Sequence, residues 1–182
     1  MEYRICHIKE CEQEFGRDNS LSIHQQRSLW AKNLIMKYSG LPFDIVYDVL
    51  GKPFFDNDSA IRFSISHTFD YIAIAFDKND VGIDIEHIRT GKEAIVKRFF
   101  TDEEKEYLFA LPYEKFDAAF TQLWTLKEAY SKCVGTGING SFATQTIDLS
   151  SLKARNRETE FAFTSFFEAK SELFVAVCVK EC

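Results

Sequence analysis

Twice along this 182-residue chain, a segment with apolar residues at helical spacing gives way to short runs in which every second residue is apolar. Residues 20–38 carry Trp30, Leu34 and Tyr38 at helical spacing beside Leu29, and Gly40 and Pro42 follow as stop signals. Past residues 51–59 the period becomes two: Phe63 and Ile65, then Ile72, Ile74 and Phe76, then Ile83 and Ile85. The order then recurs. Thr101 and Glu104 are spaced as a capping box ahead of a helix through Leu108, and a second helix is predicted from about Glu114 to Lys132. Strand-like stretches follow at 144–149, 160–167 and 173–180, the last two separated by a polar turn with Lys170 and Ser171. No residue-by-residue repeat accompanies this order. With only 3 Pro and 8 Gly and no low-complexity linker, the expectation is one compact α+β unit over 1–182. Its two similar halves, about 1–88 and 89–182, would share an interface whose cleft is the natural place for a site.

Composition narrows the function classes. A chain that is 46% hydrophobic, with 18 Phe, has ample core material and no case for disorder. Its net charge of -6 argues against a nucleic-acid partner held by a basic surface. The 5 cysteines include no C-x-x-C pair, which indicates neither a disulfide framework nor a tetrahedral zinc site, and they read as reduced thiols. No stretch approaches the roughly 18 consecutive apolar residues of a membrane span, so the expectation is a soluble, cytoplasmic protein with no membrane partner.

The stretch VGIDIEHI, residues 81–88, sets Asp84 and Glu86 on one face of a strand and Ile83 and Ile85 on the other. Two like charges about 7 Å apart by strand rise repel unless water screens them or a cation neutralises them. In the second half Thr121, Thr125, Glu128 and Lys132 share one helical stripe, beside an apolar one of Phe116, Phe120, Leu123 and Trp124. Taken singly, these are a solvated strand face and an exposed i,i+4 Glu–Lys pair. Together, three carboxylates and a lysine suit a hard cation such as Mg²⁺ with a phosphate-bearing substrate. Ser66 and His67, at the end of the strand FSISHT, present a hydroxyl and an imidazole of the kind that addresses phosphate, and Lys52 sits in a turn at GKP.

The series GKP, FSISHT, VGIDIEHI, KRFFTDEE and LWTLKEAYSKCVGTG, in this order and spacing, closely resembles the surfactin-synthetase type of 4′-phosphopantetheinyl transferase over roughly residues 27–142. The combined G-I-D-I-E and W-x-x-K-E-x-x-x-K signature carries the resemblance, which implies a pseudodimer of two similar halves, each a helix on a small antiparallel sheet. It implies transfer of the phosphopantetheine arm of coenzyme A, the co-substrate, to a serine of an apo acyl or peptidyl carrier protein, releasing adenosine 3′,5′-bisphosphate. Asp84, Glu86 and Glu128 would be the Mg²⁺ ligands, with Mn²⁺ an equivalent. Glu128, or a water it orients, would take the serine proton, and Lys132 would donate to the leaving oxygen. Lys52, Ser66 and His67 would surround the coenzyme's phosphates, with His67 and Arg27 at the 3′-phosphate. The resemblance leaves open which carrier is served, whether of fatty-acid, polyketide or peptide-synthetase type. The segment before Arg27 is shorter than in longer family members, with Arg17 its only nearby cation. Carrier proteins are generally acidic, so Lys97, Arg98, Phe99 and Phe100 are candidates for docking one. Glu104 is explained by its capping box. A monomer is expected, since a pseudodimer completes its own cleft; the alternative is a non-catalytic module of the same fold that binds coenzyme A or a carrier.

Overall fold

Side-chain caps write the starts of three helices. His7 with Glu10, Ser22 with Gln25 and Thr101 with Glu104 each form a reciprocal capping box. These open α1 (Ile8–Phe15), α2 (Ile23–Ser39) and α4 (Asp102–Phe109), and between them stands the short helix α3 (Glu93–Phe99). The long helix α5 (Tyr113–Val134) ends at Gly135, whose φ of 82° is the left-handed conformation that glycine adopts without strain. The computed structural model describes residues 1–40, 44–56, 60–137, 142, 144–149, 151–156 and 159–181.

Nine strands complete the fold among the described residues: β1 (Glu2–His7), β2 (Ile45–Tyr47), β3 (Pro53–Phe55), β4 (Arg62–Thr68), β5 (Tyr71–Asp77), β6 (Val81–His87), β7 (Lys153–Asn156), β8 (Thr159–Glu168) and β9 (Leu173–Lys180). They form a sheet in the order β1-β5-β4, a β2-β3 hairpin and a sheet in the order β6-β9-β8-β7, all antiparallel. Period two sorts the faces. In β5, Ile72 and Ile74 join Trp30, Leu34 and Ile35 of α2 in one core, while Ala73 and Ala75 turn the other way, onto Val81, Ile83, Ile85, Val175 and Val177. A third core packs α5, through Phe120, Leu123, Leu126 and Ala129, on Ala176, Cys178, Phe161 and Phe163. Each half is thus a helix on an antiparallel sheet, the α+β architecture expected, and the two sheets meet across an apolar layer.

The pairing crosses the expected division near residue 88. Strand β6 pairs with β9, Gly82 opposite Cys178, and so belongs to the second sheet. Toward the first sheet it presents backbone N–H groups to serines of β4: Ile83 donates to Ser64 Oγ at 3.1 Å and Ile85 to Ser66 Oγ at 3.4 Å. Residues 144–149 are not a strand beyond one bridge from Asp148 to Lys153. Their backbone serves side chains instead, with Lys127 Nζ donating to Gln145 O at 2.7 Å and Ile147 N to Glu104 Oε1 at 3.3 Å. Strands β1, β2, β3 and β7 and helices α1 and α3 go beyond the pattern read from periodicity.

Candidate active site

Gly82 decides how closely α5 approaches β6. A Cβ there would lie 1.9 Å from Ala129 O and 2.5 Å from Cys133 N, so only glycine lets the helix rest on the strand backbone. Asp84 and Glu86 share the strand face of Gly82 and are carried under the turns of α5 that bear Glu128 and Lys132.

Asp84 is 5% exposed, not part of a solvated face. Its Oδ1 accepts from Ser66 Oγ at 2.7 Å and from Lys132 Nζ at 2.7 Å, and Lys132 also reaches Ile83 O at 3.2 Å. Its Oδ2 is buried with no hydrogen-bond partner among the described residues. Such an oxygen loses hydration with nothing in return, an arrangement that invites a ligand. Glu86 accepts from Thr68 Oγ1 at 3.4 Å and pairs with Arg89 Nη1 at 3.3 Å. Burial, then the neighbouring Asp84, raise its carboxyl above the usual range, with Arg89 opposing. No cation stands within ion-pair distance of Glu128 among the described residues. Burial first and Asp84 second push Glu128 up to about 7, against the pull of Lys132.

These groups line a cavity of about 710 Å³, within the roughly 300–1,000 Å³ of small-molecule sites. Lys52, Ser66 and His67 are on its walls. The His67 ring lies edge-on to His24 at 5.6 Å, and partial desolvation, then Lys132, His24 and Arg27, lower its pKa and favour the neutral imidazole. Arg27 is not on the cavity wall but acts on His67 by charge, and its buried Nε is unpartnered among the described residues. Lys52 is committed elsewhere: its ammonium pairs with Asp80 at 3.2 Å and donates to Cys133 O at 2.5 Å, where a cation meets the negative end of α5.

Several wall residues are not evident as part of a site in the sequence, where Trp124 belongs only to the apolar stripe and the signature. Lys32, Arg89, Trp124 and Ser131 line the cavity, and the Arg89 guanidinium lies 5.3 Å from the Trp124 ring centre. Ser131 Oγ is, like Asp84 Oδ2, buried and unpartnered among the described residues. The i,i+3 and i,i+7 spacing of Trp124, Ser131 and Glu128 on α5 is the signal that could have found the first two. Glu104 does more than cap: it takes Lys127 into a buried ion pair at 2.8 Å, the two side chains 4% and 2% exposed. Of the residues considered for docking, Phe100 is core, tilted against Phe120 and stacked with Trp124, and Phe99 is half-buried; Lys97 and Arg98 are exposed.

The donor set of Asp84, Glu86 and Glu128 fits a hard divalent cation, and the orphaned Asp84 Oδ2 is the atom with most to gain. As the side chains stand, no three acidic, histidine or cysteine groups among the described residues are gathered closely enough to hold a metal. The positions nearest the paired acids are held by Lys132 and Arg89.

Residues 80–178 match the model of the 4′-phosphopantetheinyl transferase superfamily. A 4′-phosphopantetheinyl transferase of Bacillus pumilus is 35% identical over 122 residues, 65% of this chain and 52% of its own. One of Aneurinibacillus migulanus is 34% identical over 137 residues, 71% of this chain and 56% of its own, and one of Bacillus subtilis 30% identical over 156 residues, 84% and 69%. The chain thus spans about half the length of the first two of these relatives. The matched segment holds β6, α5 and β9, the elements that bring the three carboxylates together. On this match and these identities, the chain belongs to the 4′-phosphopantetheinyl transferase superfamily.

Proposed function

We propose that this chain transfers the 4′-phosphopantetheine group of coenzyme A to a serine of an apo acyl or peptidyl carrier protein, giving the holo carrier and adenosine 3′,5′-bisphosphate. It would act as a single cytoplasmic unit, a monomer whose halves meet at the cavity, with Mg²⁺ or Mn²⁺ bound. Family membership supports this reading, and one observation carries it: a buried, unpartnered carboxylate oxygen on Asp84 in a cavity shared with Glu86, Glu128 and four cations, Lys32, Lys52, Arg89 and Lys132. A site of three acids and four cations suits a substrate with its own phosphates and a metal, whereas an apolar ligand would bury these charges without adding a partner for Asp84 Oδ2.

When bound by Asp84, Glu86 and Glu128, the divalent cation supplies charge neutralisation for the coenzyme A diphosphate. The residues do the rest. The carrier's serine oxygen bonds to the β-phosphorus as the bond from that phosphorus to the bridging oxygen breaks. Glu128, or a water it orients, accepts the serine proton. Lys132, 2.7 Å from Asp84 Oδ1, is aimed beside the acids to stabilise the departing diphosphate oxygen. His67 faces the same cavity as a partner for further phosphate oxygens, Ser66 reaches them only by releasing Asp84, and Arg27 adds positive charge felt at His67. Exposed Lys97 and Arg98 offer an acidic carrier a basic edge.

The test is transfer of labelled phosphopantetheine by Asp84→Ala and Glu128→Ala, each shown to be folded by its thermal transition. Loss of transfer in both is expected, and full transfer by either overturns the assignment. A non-catalytic module is the weaker reading, because both strand acids, Glu128 and Lys132 are all present and converge on one cavity.

A further inference from the structure

Asp84 and Glu86 each already hold a cation of the chain itself, Lys132 at 2.7 Å and Arg89 at 3.3 Å. The proposed reaction uses Lys132 and leaves Arg89 without a part. We infer that Arg89 is an exchangeable counter-ion: it occupies Glu86 in the metal-free protein, yields the carboxylate to a divalent cation, and then presents its guanidinium to a phosphate of coenzyme A in the same cavity. This inference rests on the phosphopantetheine-transfer reading.

Three observations carry it. The pair with Glu86 is a single contact between side chains 32% and 23% exposed, a weak and displaceable arrangement. Arg89 is anchored independently of Glu86: its backbone N–H donates to Thr121 Oγ1 at 2.9 Å and its guanidinium lies over the Trp124 ring at 5.3 Å, both on α5. Giving up Glu86 therefore leaves the group in place. Finally, Arg89 lines the cavity, and a guanidinium with five N–H donors in a planar fork has donors to spare for a phosphate. Lys127 on the same helix is the contrast. Its ammonium makes two contacts to Glu104, at 2.8 and 3.0 Å, and one to Gln145 O at 2.7 Å, which saturates it and prevents exchange.

The test reads two ligands separately. Mn²⁺ binding to the protein alone is followed by electron paramagnetic resonance, and coenzyme A binding at saturating Mg²⁺ by calorimetry, for wild type, Arg89→Gln and Arg89→Lys. Removing a competing cation should tighten Mn²⁺ binding by Arg89→Gln about two- to fivefold. Removing a phosphate partner should weaken its coenzyme A binding about tenfold. Arg89→Lys, which keeps the charge, should bring Mn²⁺ affinity back to that of wild type. Shifts in the same direction for both ligands would mean that Arg89 only maintains the shape of the site, and that result, or no shift, overturns the inference; so does an Arg89→Lys protein that binds Mn²⁺ like Arg89→Gln. Transfer to a carrier is assayed on the wild type in parallel. Its absence there, with opposite shifts in the two affinities, would sink the transfer reading and leave the exchange at Glu86 standing.

Discussion

Neighbouring residues of helix α5, Lys127 and Glu128, enter two charged clusters built on opposite terms. Lys127 and Glu104 are buried together, and between them they satisfy Thr101 N, Ile147 N and Gln145 O. Glu128 faces the cavity beside Asp84, whose Oδ2 has no partner among the described residues, and beside Glu86, whose one ion pair is with a displaceable arginine. A charged group that is buried and fully bonded ties elements together, here α4, α5 and residues 145–147. One that is buried and incompletely bonded stores an unmet demand that a ligand can satisfy. The difference is the ground for reading the first cluster as structural and the second as the candidate site.

Breaking the closed cluster should give the largest effect on folding. Lys127→Met leaves Glu104 buried without its cation and is expected to lower unfolding free energy by about 3–5 kcal/mol. Urea titration measures it, and the coenzyme A affinity of the folded fraction should change far less. In the open cluster the expectation reverses. Asp84→Asn should unfold within about 1 kcal/mol of wild type while transfer falls about 10²–10³-fold, the scale of removing one preorganised electrostatic group; steady-state rates beside a melting curve separate the two. Gly82→Ala sharpens the comparison from the backbone side. Forcing α5 off the strand should cost about 1–3 kcal/mol and also reduce transfer, because the helix that moves carries Glu128 and Lys132.

The smallest effect is on pH dependence. Glu128 titrates near 7 in the fold against an ordinary value of 4.5, so between these values the unfolded chain has released a proton that the folded one still holds. Stability of the metal-free protein should therefore fall as pH rises through that window and level off above it. Glu128→Gln should flatten this slope. A metal-free wild type whose thermal midpoint rises across the same window, with no slope lost in Glu128→Gln, would contradict the environment described for Glu128.

What the sequence disclosed followed from local spacing. The alternation of Ile83 and Ile85 with Asp84 and Glu86 is visible in four residues, and the structure keeps it: isoleucines against the first sheet, acids against α5. The Thr101–Glu104 cap and the long helix were legible for the same reason. Partners distant in the chain were not. That β6 would leave β5 to pair with β9 depends on residues 173–179, far beyond any local window. Residues 144–149 alternate like a strand, yet their backbone groups are claimed by Lys127 and Glu104. Glu104 therefore looked like a cap alone, and Arg89 went unnoticed, because the ring it lies over is 35 positions away on α5. Lys52 looked like a phosphate ligand, although its nearest partners are Asp80 and the end of α5.

The open cluster, with a divalent cation, is proposed to transfer phosphopantetheine to a carrier serine. The most direct test is the intact mass of purified apo carrier proteins after incubation with this protein, coenzyme A and Mg²⁺, with and without a chelator. The account predicts a gain of one phosphopantetheine on the carrier serine that the chelator abolishes. A carrier set that gains no mass under any condition, while the protein still binds coenzyme A in a calorimeter, would contradict it.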